Sequence, residues 1–396
     1  MGSSSPRYVE HNSPPHSIAP VSERDAVDLL QSLVSIASPS GSEDRAARAL
    51  VEWMNRRGWR ATQDDVGNAV GVRGDGAHEI LLLGHIDTFP GVVPVRRDGD
   101  RLFGRGTVDA KGPLCAFVCG ATAVPVPDAW RITVVGAVEE EATSSRGARH
   151  ILKQRPADHA PRYCIIGEPS RWDRVTLGYK GRLHMSVSLR YPFSHSAGSG
   201  RLPAEVAVDL WRAIEDFCTE HNRERPPPPS SREFDRLTPT LESVVTERDG
   251  AFGTAKLQIG FRLSPDDDPS ALPQSLTAAL QLALKGDGGE APAGASVECT
   301  FQGAEVAHKS SKSTPLVRAF LQAVRAGRGG GNPRFVIKTG TSDMNVVAPG
   351  WPDTPIVAYG PGDGSLDHTP EEHIELADYM QAIGVMTRVL GSLLVG

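Results

Sequence analysis

Ile80-Leu81-Leu82-Leu83-Gly84-His85-Ile86-Asp87 is an unbroken apolar run that ends on two polar residues two positions apart. A short continuous run of this kind reads as a strand buried on both faces. Ile132-Thr133-Val134-Val135-Gly136-Ala137-Val138 and Tyr163-Cys164-Ile165-Ile166 repeat the type, and Phe335-Val336-Ile337 and Ile356-Val357-Ala358-Tyr359 return to it late in the chain. Before and after them lie stretches with helical spacing of apolar residues: Asp25 to Ile36, starting at Ser22 or Glu23; the residues after Ser42-Glu43 through about Arg57; and a closing helix from Glu372 to Leu394. Buried strands alternating with helices predict an α/β fold, with an α/β/α sandwich as its main body.

The texture changes near Thr176. Leu183 to Arg190 and Lys256 to Leu263 alternate apolar with polar residues, as strands with one wet face do. Helical stretches run from about Ala204 to Glu220 and from Gln274 to Leu284, and Ala295 to Phe301 reads as a strand. The sequence therefore predicts an inserted α+β domain with an antiparallel sheet at 175–303. It lies inside a body formed by 21–174 and 304–396, and a polar, Pro-rich tail over 1–20 is expected to be disordered.

The 396 residues carry 42 Lys plus Arg and 48 Asp plus Glu, a formal net charge of −6. That balance argues against a dedicated nucleic-acid binder, which shows a basic excess. No apolar run approaches the roughly 18 residues that span a bilayer. The N-terminus lacks the apolar core of a signal peptide, so a cytoplasmic location is expected. The 5 cysteines are scattered and odd in number, which fits reduced thiols. Cys115 and Cys119, four apart in an apolar stretch, read as small core residues on one helix face.

Five constellations stand at the ends of the buried strands, where open α/β sheets place ligands. Gly84-His85-Ile86-Asp87 puts His85 and Asp87 on one side of an extended segment. Gly104-Arg105-Gly106-Thr107-Val108-Asp109-Ala110-Lys111-Gly112 wraps glycines around one carboxylate, and its spacing is not that of a phosphate-binding loop. Glu139-Glu140-Glu141 gathers three carboxylates that repel one another unless a cation is present. Glu168 follows Ile165-Ile166-Gly167, and His368 stands in Asp367-His368-Thr369-Pro370-Glu371 after a Gly-rich loop. Each has an ordinary structural reading when taken alone. Together they offer mixed nitrogen and oxygen donors suited to Zn²⁺ or its neighbours.

In order and context these segments resemble the co-catalytic dinuclear zinc metallopeptidase family, which includes acetylornithine deacetylase, succinyl-diaminopimelate desuccinylase, carboxypeptidase G and the aminoacylases. The resemblance covers about 22 to 395. It implies two divalent cations per chain, zinc with cobalt or manganese as alternatives, one held by His85, Asp109 and Glu168 and the other by Asp109, Glu141 and His368. It implies Glu140 as general base, Asp87 supporting His85, and a cis peptide at Asp109-Ala110. The family usually reads Asp-Glu-Glu where this chain has Glu139-Glu140-Glu141, so a one-residue slip would make Glu139 the base and Glu140 the ligand.

The resemblance also makes the inserted domain a lid and dimerisation domain. His195, in Phe193-Ser194-His195-Ser196-Ala197, then reaches a partner subunit's active site and stabilises the oxyanion. Arg262 is implied to bind a substrate carboxylate, and Ser342 and Gly362 to contact substrate.

Lys338 to Asn345 and Ala358 to Asp363 further resemble the LysK-type branch. That branch releases lysine or ornithine from the γ-carboxyl of a C-terminal glutamate on a small acidic amino-group carrier protein, LysW-like. Deacetylation of a free N-acylated amino acid is the alternative, and a non-catalytic dimeric scaffold a further one. An acidic carrier calls for basic surface at the entrance. Arg146, Arg149, Lys153 and Arg155, or Arg223, Arg225, Arg232 and Arg236, are the candidates. Lys338-Thr339-Gly340 matches one box of the serine penicillin-binding enzymes, but no S-x-x-K occurs to supply the nucleophile.

Overall fold

The structure is a computed structural model that describes residues 21–142, 144–195, 200–225, 233–286, 289–327 and 333–395. The tail expected over 1–20 and the proline run at 226–229 lie outside the described residues. The chain opens with α1 (Glu23–Val34), α2 (Asp44–Arg56), β1 (Arg60–Gln63), β2 (Ala69–Arg73) and β3 (His78–His85). A hairpin of β4 (Arg96–Asp98) and β5 (Arg101–Phe103) leads to α3 (Lys111–Thr122), β6 (Trp130–Ala137), α4 (Arg146–Gln154), β7 (Tyr163–Gly167) and β8 (Arg174–Tyr179). Next come β9 (Gly181–Pro192), α5 (Pro203–Glu224), β10 (Thr238–Asp249), β11 (Phe252–Leu263), α6 (Leu272–Lys285) and β12 (Ser296–Glu305). The chain closes with β13 (His308–Lys309), α7 (Pro315–Gly327), β14 (Arg334–Lys338), α8 (Asp343–Val347), β15 (Ile356–Tyr359), β16 (His373–Glu375) and α9 (Leu376–Val395).

The apolar run at residues 80–83 is the middle of the main sheet. Nine strands form it in the order β1-β2-β6-β3-β7-β15-β8-β13, with β14 beside β8. β3 runs parallel to both β6 and β7, and β15 parallel to β7. Because side chains alternate along a strand, Ile80 and Leu82 join the core built with α1, α2, α3, α7 and α9. Leu81 and Leu83 join the opposite core, with α4 and α8. That two-sided burial is why the run contains no polar residue. Burying each such leucine stabilises the fold by roughly 1.5–3 kcal/mol. Cys115 and Cys119 lie wholly buried on α3, and burial pushes the Cys119 thiol up to about 12.

The second sheet is antiparallel, in the order β10-β11-β9-β12. Leu183, Met185, Val187 and Leu189 of β9 face a core shared with α5 and α6, while Arg182, His184, Ser186 and Arg190 take the other face. The fold class is therefore α/β with an inserted α+β unit, as read from the sequence.

The structure differs from the sequence reading at three places. β8 pairs with β13, β14 and β15 in the main sheet, so the switch between sheets falls at Lys180 rather than near Thr176. β10, rich in hydroxyl and charged residues, forms a long edge strand that no alternation announces. The closing helix begins at Leu376, because residues 373–375 pair with β5. No helix among the described residues is long and apolar enough to cross a membrane.

Candidate metal centre

Parallel strands put their carboxyl ends on one edge of the sheet, and the five constellations converge there. His85 is the last residue of β3, and Glu168 follows β7 directly. Asp109 lies between them in the loop before α3. The imidazole Nε2 of His85 stands 3.2 Å from Asp109 Oδ1 and 4.0 Å from Glu168 Oε1. On the other side, His368 Nε2 is 3.0 Å from Asp109 Oδ2 and 3.1 Å from Glu141 Oε1. Two donor groups result, His85-Asp109-Glu168 and Asp109-Glu141-His368, each with its ligand atoms within 4.8 Å of one another. Asp109 belongs to both and presents a different oxygen to each.

This donor set fits two cations. One imidazole and two carboxylates per position, with a shared carboxylate, is a chemistry that divalent zinc-like metals accept. The electrostatics point the same way. Burial pushes the Glu140 carboxyl well above the usual carboxylate range, and Glu168 and Glu141 add to the rise against the pull of His85. Burial first, then the charge of Asp109, pushes Glu168 and Asp367 up to about 8. Burial also opposes ionisation of Asp109, yet hydrogen bonds from His368 and His85 hold its carboxyl far below the usual range. The same bonds, to Asp109 and Glu141, push His368 up to about 10. The protons fill a deficit of positive charge that cations would fill instead.

Backbone geometry separates the three adjacent glutamates. Glu139 takes a left-handed φ of 59°, a conformation uncommon outside glycine, and its carboxylate accepts from Ser144 Oγ at 2.7 Å and Arg146 Nε at 2.8 Å. Glu140 and Glu141 line the cavity. Asp87, fully buried, fixes that turn: its Oδ1 accepts the backbone N–H of Glu140 at 3.1 Å and its Oδ2 that of Glu141 at 3.0 Å. Asp87 Oδ2 also accepts from Ser40 Oγ at 2.8 Å, and its Oδ1 lies 3.4 Å from His85 Nδ1. The Asp109-Ala110 peptide is cis.

The cavity above the donors has a volume of about 570 Å³. Phe89 stacks on His368 with ring centroids 4.2 Å apart and forms part of the wall. Arg262 lines the cavity, as does the Lys338-Thr339-Gly340-Thr341 segment. That segment shares the cavity with the carboxylate cluster, and the serine that follows it, Ser342, is engaged as a helix cap. Ser342 and Gly362 are not among the lining residues. Ser342 caps α8, accepting from Met344 N, and Gly362 donates its N–H to Asp378. His195 lies just past β9, exposed and outside this cavity's lining.

Several contributors escaped the sequence reading. Glu372 Oε1 accepts the N–H groups of Gly106 at 3.0 Å, Val108 at 3.0 Å and Asp109 at 3.2 Å, so it moulds the loop that presents the bridging carboxylate. Tyr179, Arg182 and Asp367 also line the cavity. The two basic clusters considered for an acidic partner are largely satisfied locally. Arg146 pairs with Glu139, Arg149 with Glu305, Arg155 with Glu79 and Arg223 with Glu220, and Arg232 lies outside the described residues.

The model of peptidase family M20/M25/M40 matches residues 81–392. A [LysW]-lysine hydrolase from Deinococcus radiodurans is 43% identical over 377 residues, covering 94% of this chain and 98% of the relative. A putative [LysW]-lysine/[LysW]-ornithine hydrolase from Thermococcus kodakarensis is 35% identical, with 94% and 93% covered. Among solved structures, an M20 family metallo-carboxypeptidase from Sulfolobus solfataricus shares the fold with a TM-score of 0.74 at 18% identity, over 94% of this chain and 100% of that one. A dinuclear metal-binding M20 peptidase from Bacillus subtilis does so with a TM-score of 0.66 at 12% identity, over 94% and 98%.

Proposed function

The chain belongs to the peptidase family M20/M25/M40, and we propose that within it this protein is a cytoplasmic, homodimeric amide hydrolase. Its substrate is a small acidic amino-group carrier protein, and it releases a lysine- or ornithine-like amino acid from the carrier's C-terminal γ-glutamyl group. The observation that carries the reading is the 43% identity to the [LysW]-lysine hydrolase along 94% of this chain.

In this reading His85, Asp109 and Glu168 hold one divalent cation and Asp109, Glu141 and His368 the other, with zinc favoured by the donor types. When bound, such cations polarise a carbonyl and acidify water. Glu140 acts as general base, taking the proton of the attacking water and returning it to the departing amine. Its buried position, which raises its proton affinity, suits that shuttle. Asp87 keeps Glu140 and Glu141 on station through the two backbone N–H groups it accepts. His195 donates to the developing oxyanion in the cavity of the partner subunit. Arg262 grips the carboxylate of the released amino acid.

The test compares carrier-linked lysine and ornithine with N-acetyl-lysine and N-acetyl-ornithine. The reading expects much faster turnover of the carrier-linked pair. Replacing Glu140 with Ala should lower kcat by at least roughly 10²-fold with bound metal unchanged. Preference for the acetyl forms would refute the carrier assignment, and full activity after exhaustive chelation would refute the metal chemistry.

A further inference from the structure

Part of the cavity lining is basic, and its Lys338 acts electrostatically on Asp109, Glu168 and Asp367. Arg182, Arg262 and Lys338 line the cavity with Tyr179 and Thr341. Arg182 and Arg262 are direct cross-strand partners on β9 and β11. Two guanidinium groups therefore share one face of the sheet, an arrangement that repels unless an anion stands between or beside them. Arg262 donates from Nη1 to Thr341 Oγ1 at 2.7 Å. Glu242, an acid within electrostatic reach of Arg262, stands 3.5 Å from His184. Among the described residues none of the three cations has a carboxylate within ion-pair distance.

Two polar atoms on this wall also find no partner among the described residues. The Nε of Arg182 and the hydroxyl of Tyr179 are buried without a hydrogen bond, although Tyr179 is 1% exposed and such groups are normally satisfied. The Lys338 ammonium lies 5.8 Å from the centre of the Tyr179 ring. Three cations and the Tyr179 hydroxyl offer more donors than a single carboxylate, with two oxygens, can satisfy. A γ-glutamyl-linked amino acid carries two carboxylates, one on each side of the scissile amide. An N-acetyl amino acid carries one.

We propose that Arg182, with Lys338 and the Tyr179 hydroxyl, forms a second carboxylate subsite beside that of Arg262. It takes the α-carboxylate of the γ-glutamyl residue and makes the enzyme specific for amides flanked by carboxylates on both sides. The proposal rests on the amide-hydrolase reading above.

Steady-state kinetics on the metal-loaded full chain test it with two lysine amides that differ only in the acyl-side carboxylate: N-acetyl-γ-glutamyl-lysine and 4-acetamidobutyryl-lysine. Wild type should prefer the first. Arg182→Gln should lower kcat/KM for the first by roughly 10- to 100-fold, chiefly through KM, and leave the second within about two-fold, as unbound arginine predicts. Arg182→Lys should recover part of the loss, since it restores charge without the bidentate fork. Equal loss on both substrates, or no loss on the first, overturns the subsite. Wild type that cleaves both equally also overturns the subsite while leaving amide hydrolysis standing. Wild type that cleaves neither overturns the functional reading and the subsite with it.

Discussion

Replacing Glu372 with Gln changes one atom in the carboxyl group that shapes the Asp109 loop. The carboxylate accepts three backbone N–H groups through Oε1, at 3.0 to 3.2 Å, and the Arg105 guanidinium through Oε2 at 2.8 Å. Both side chains are out of water, Glu372 wholly and Arg105 at 13% exposure. The glutamine carbonyl can keep the three backbone bonds at neutral strength, but its NH₂ must face the NH₂ of Arg105. Breaking one side of a buried pair costs about 3–5 kcal/mol, because a charge is left stranded. Burial already raises the Glu372 carboxyl above its usual range in spite of these donors, so removing the charge returns part of that cost. The net expectation is a loss near the lower bound, about 3 kcal/mol.

Urea unfolding of the metal-free protein measures that loss. The double variant Glu372→Gln/Arg105→Gln should recover most of it, since the stranded cation is gone. Titration calorimetry with Zn²⁺ should show affinity lowered roughly 10- to 100-fold in the single variant, the usual effect of losing a support behind a ligand. Stability within about 0.5 kcal/mol of wild type, with unchanged metal affinity, would refute the claim that Glu372 positions the bridging carboxylate.

Three further outcomes follow from the same structure. Glu79 is buried, which opposes its charge, but Arg155, Thr133 and Arg131 hold its carboxyl below 4.5. Its stabilising contribution is therefore full above pH 4.5 and lost as pH falls through the depressed value. The stability gap between wild type and Glu79→Gln, followed by urea unfolding, should shrink from pH 6 to pH 3, and a constant gap would refute the pairing. Asn345 ties together the two segments that cross between the sheets, its Nδ2 donating to Lys180 O at 3.1 Å and Val306 O at 2.8 Å. Asn345→Ala should cost about 1–3 kcal/mol and speed amide exchange in β9 and β12 over β3; equal protection would count against the clamp. Stripping metal should lower the melting temperature and abolish turnover, both restored by Zn²⁺, because a ligand that binds only the folded state stabilises it; a melting curve indifferent to metal would count against the site.

Much of this protein is legible in one dimension. The run at residues 80–83 is all apolar because both faces of β3 are covered, and periodicity reports burial directly. His85 ends β3 and Glu168 follows β7 directly, because parallel strands deliver their carboxyl ends to one edge; Asp109, by contrast, comes from the loop after the β4/β5 hairpin. Other contributions leave no local mark. Glu372 is 263 residues from Asp109, and nothing in its neighbours announces that its carboxylate serves the other's backbone. β10 hides because its sequence does not alternate, as an edge strand need not. The pairing of Arg182 with Arg262 is a matter of strand register across two separate segments. Four of the eight basic residues considered as a docking surface pair with Glu139, Glu305, Glu79 and Glu220, partners that charge counting does not assign.

The sequence by itself thus determined the fold class, the strand ends and the residue types gathered there, because burial and alternation are properties of neighbours in the chain. Only the tertiary structure decided which glutamate of Glu139-Glu140-Glu141 faces His368, what holds Asp109 between two imidazoles, and which cations are left without a carboxylate. Those outcomes depend on distances between segments far apart in the chain, and electrostatic pairing acts over a few ångströms of space rather than along the sequence.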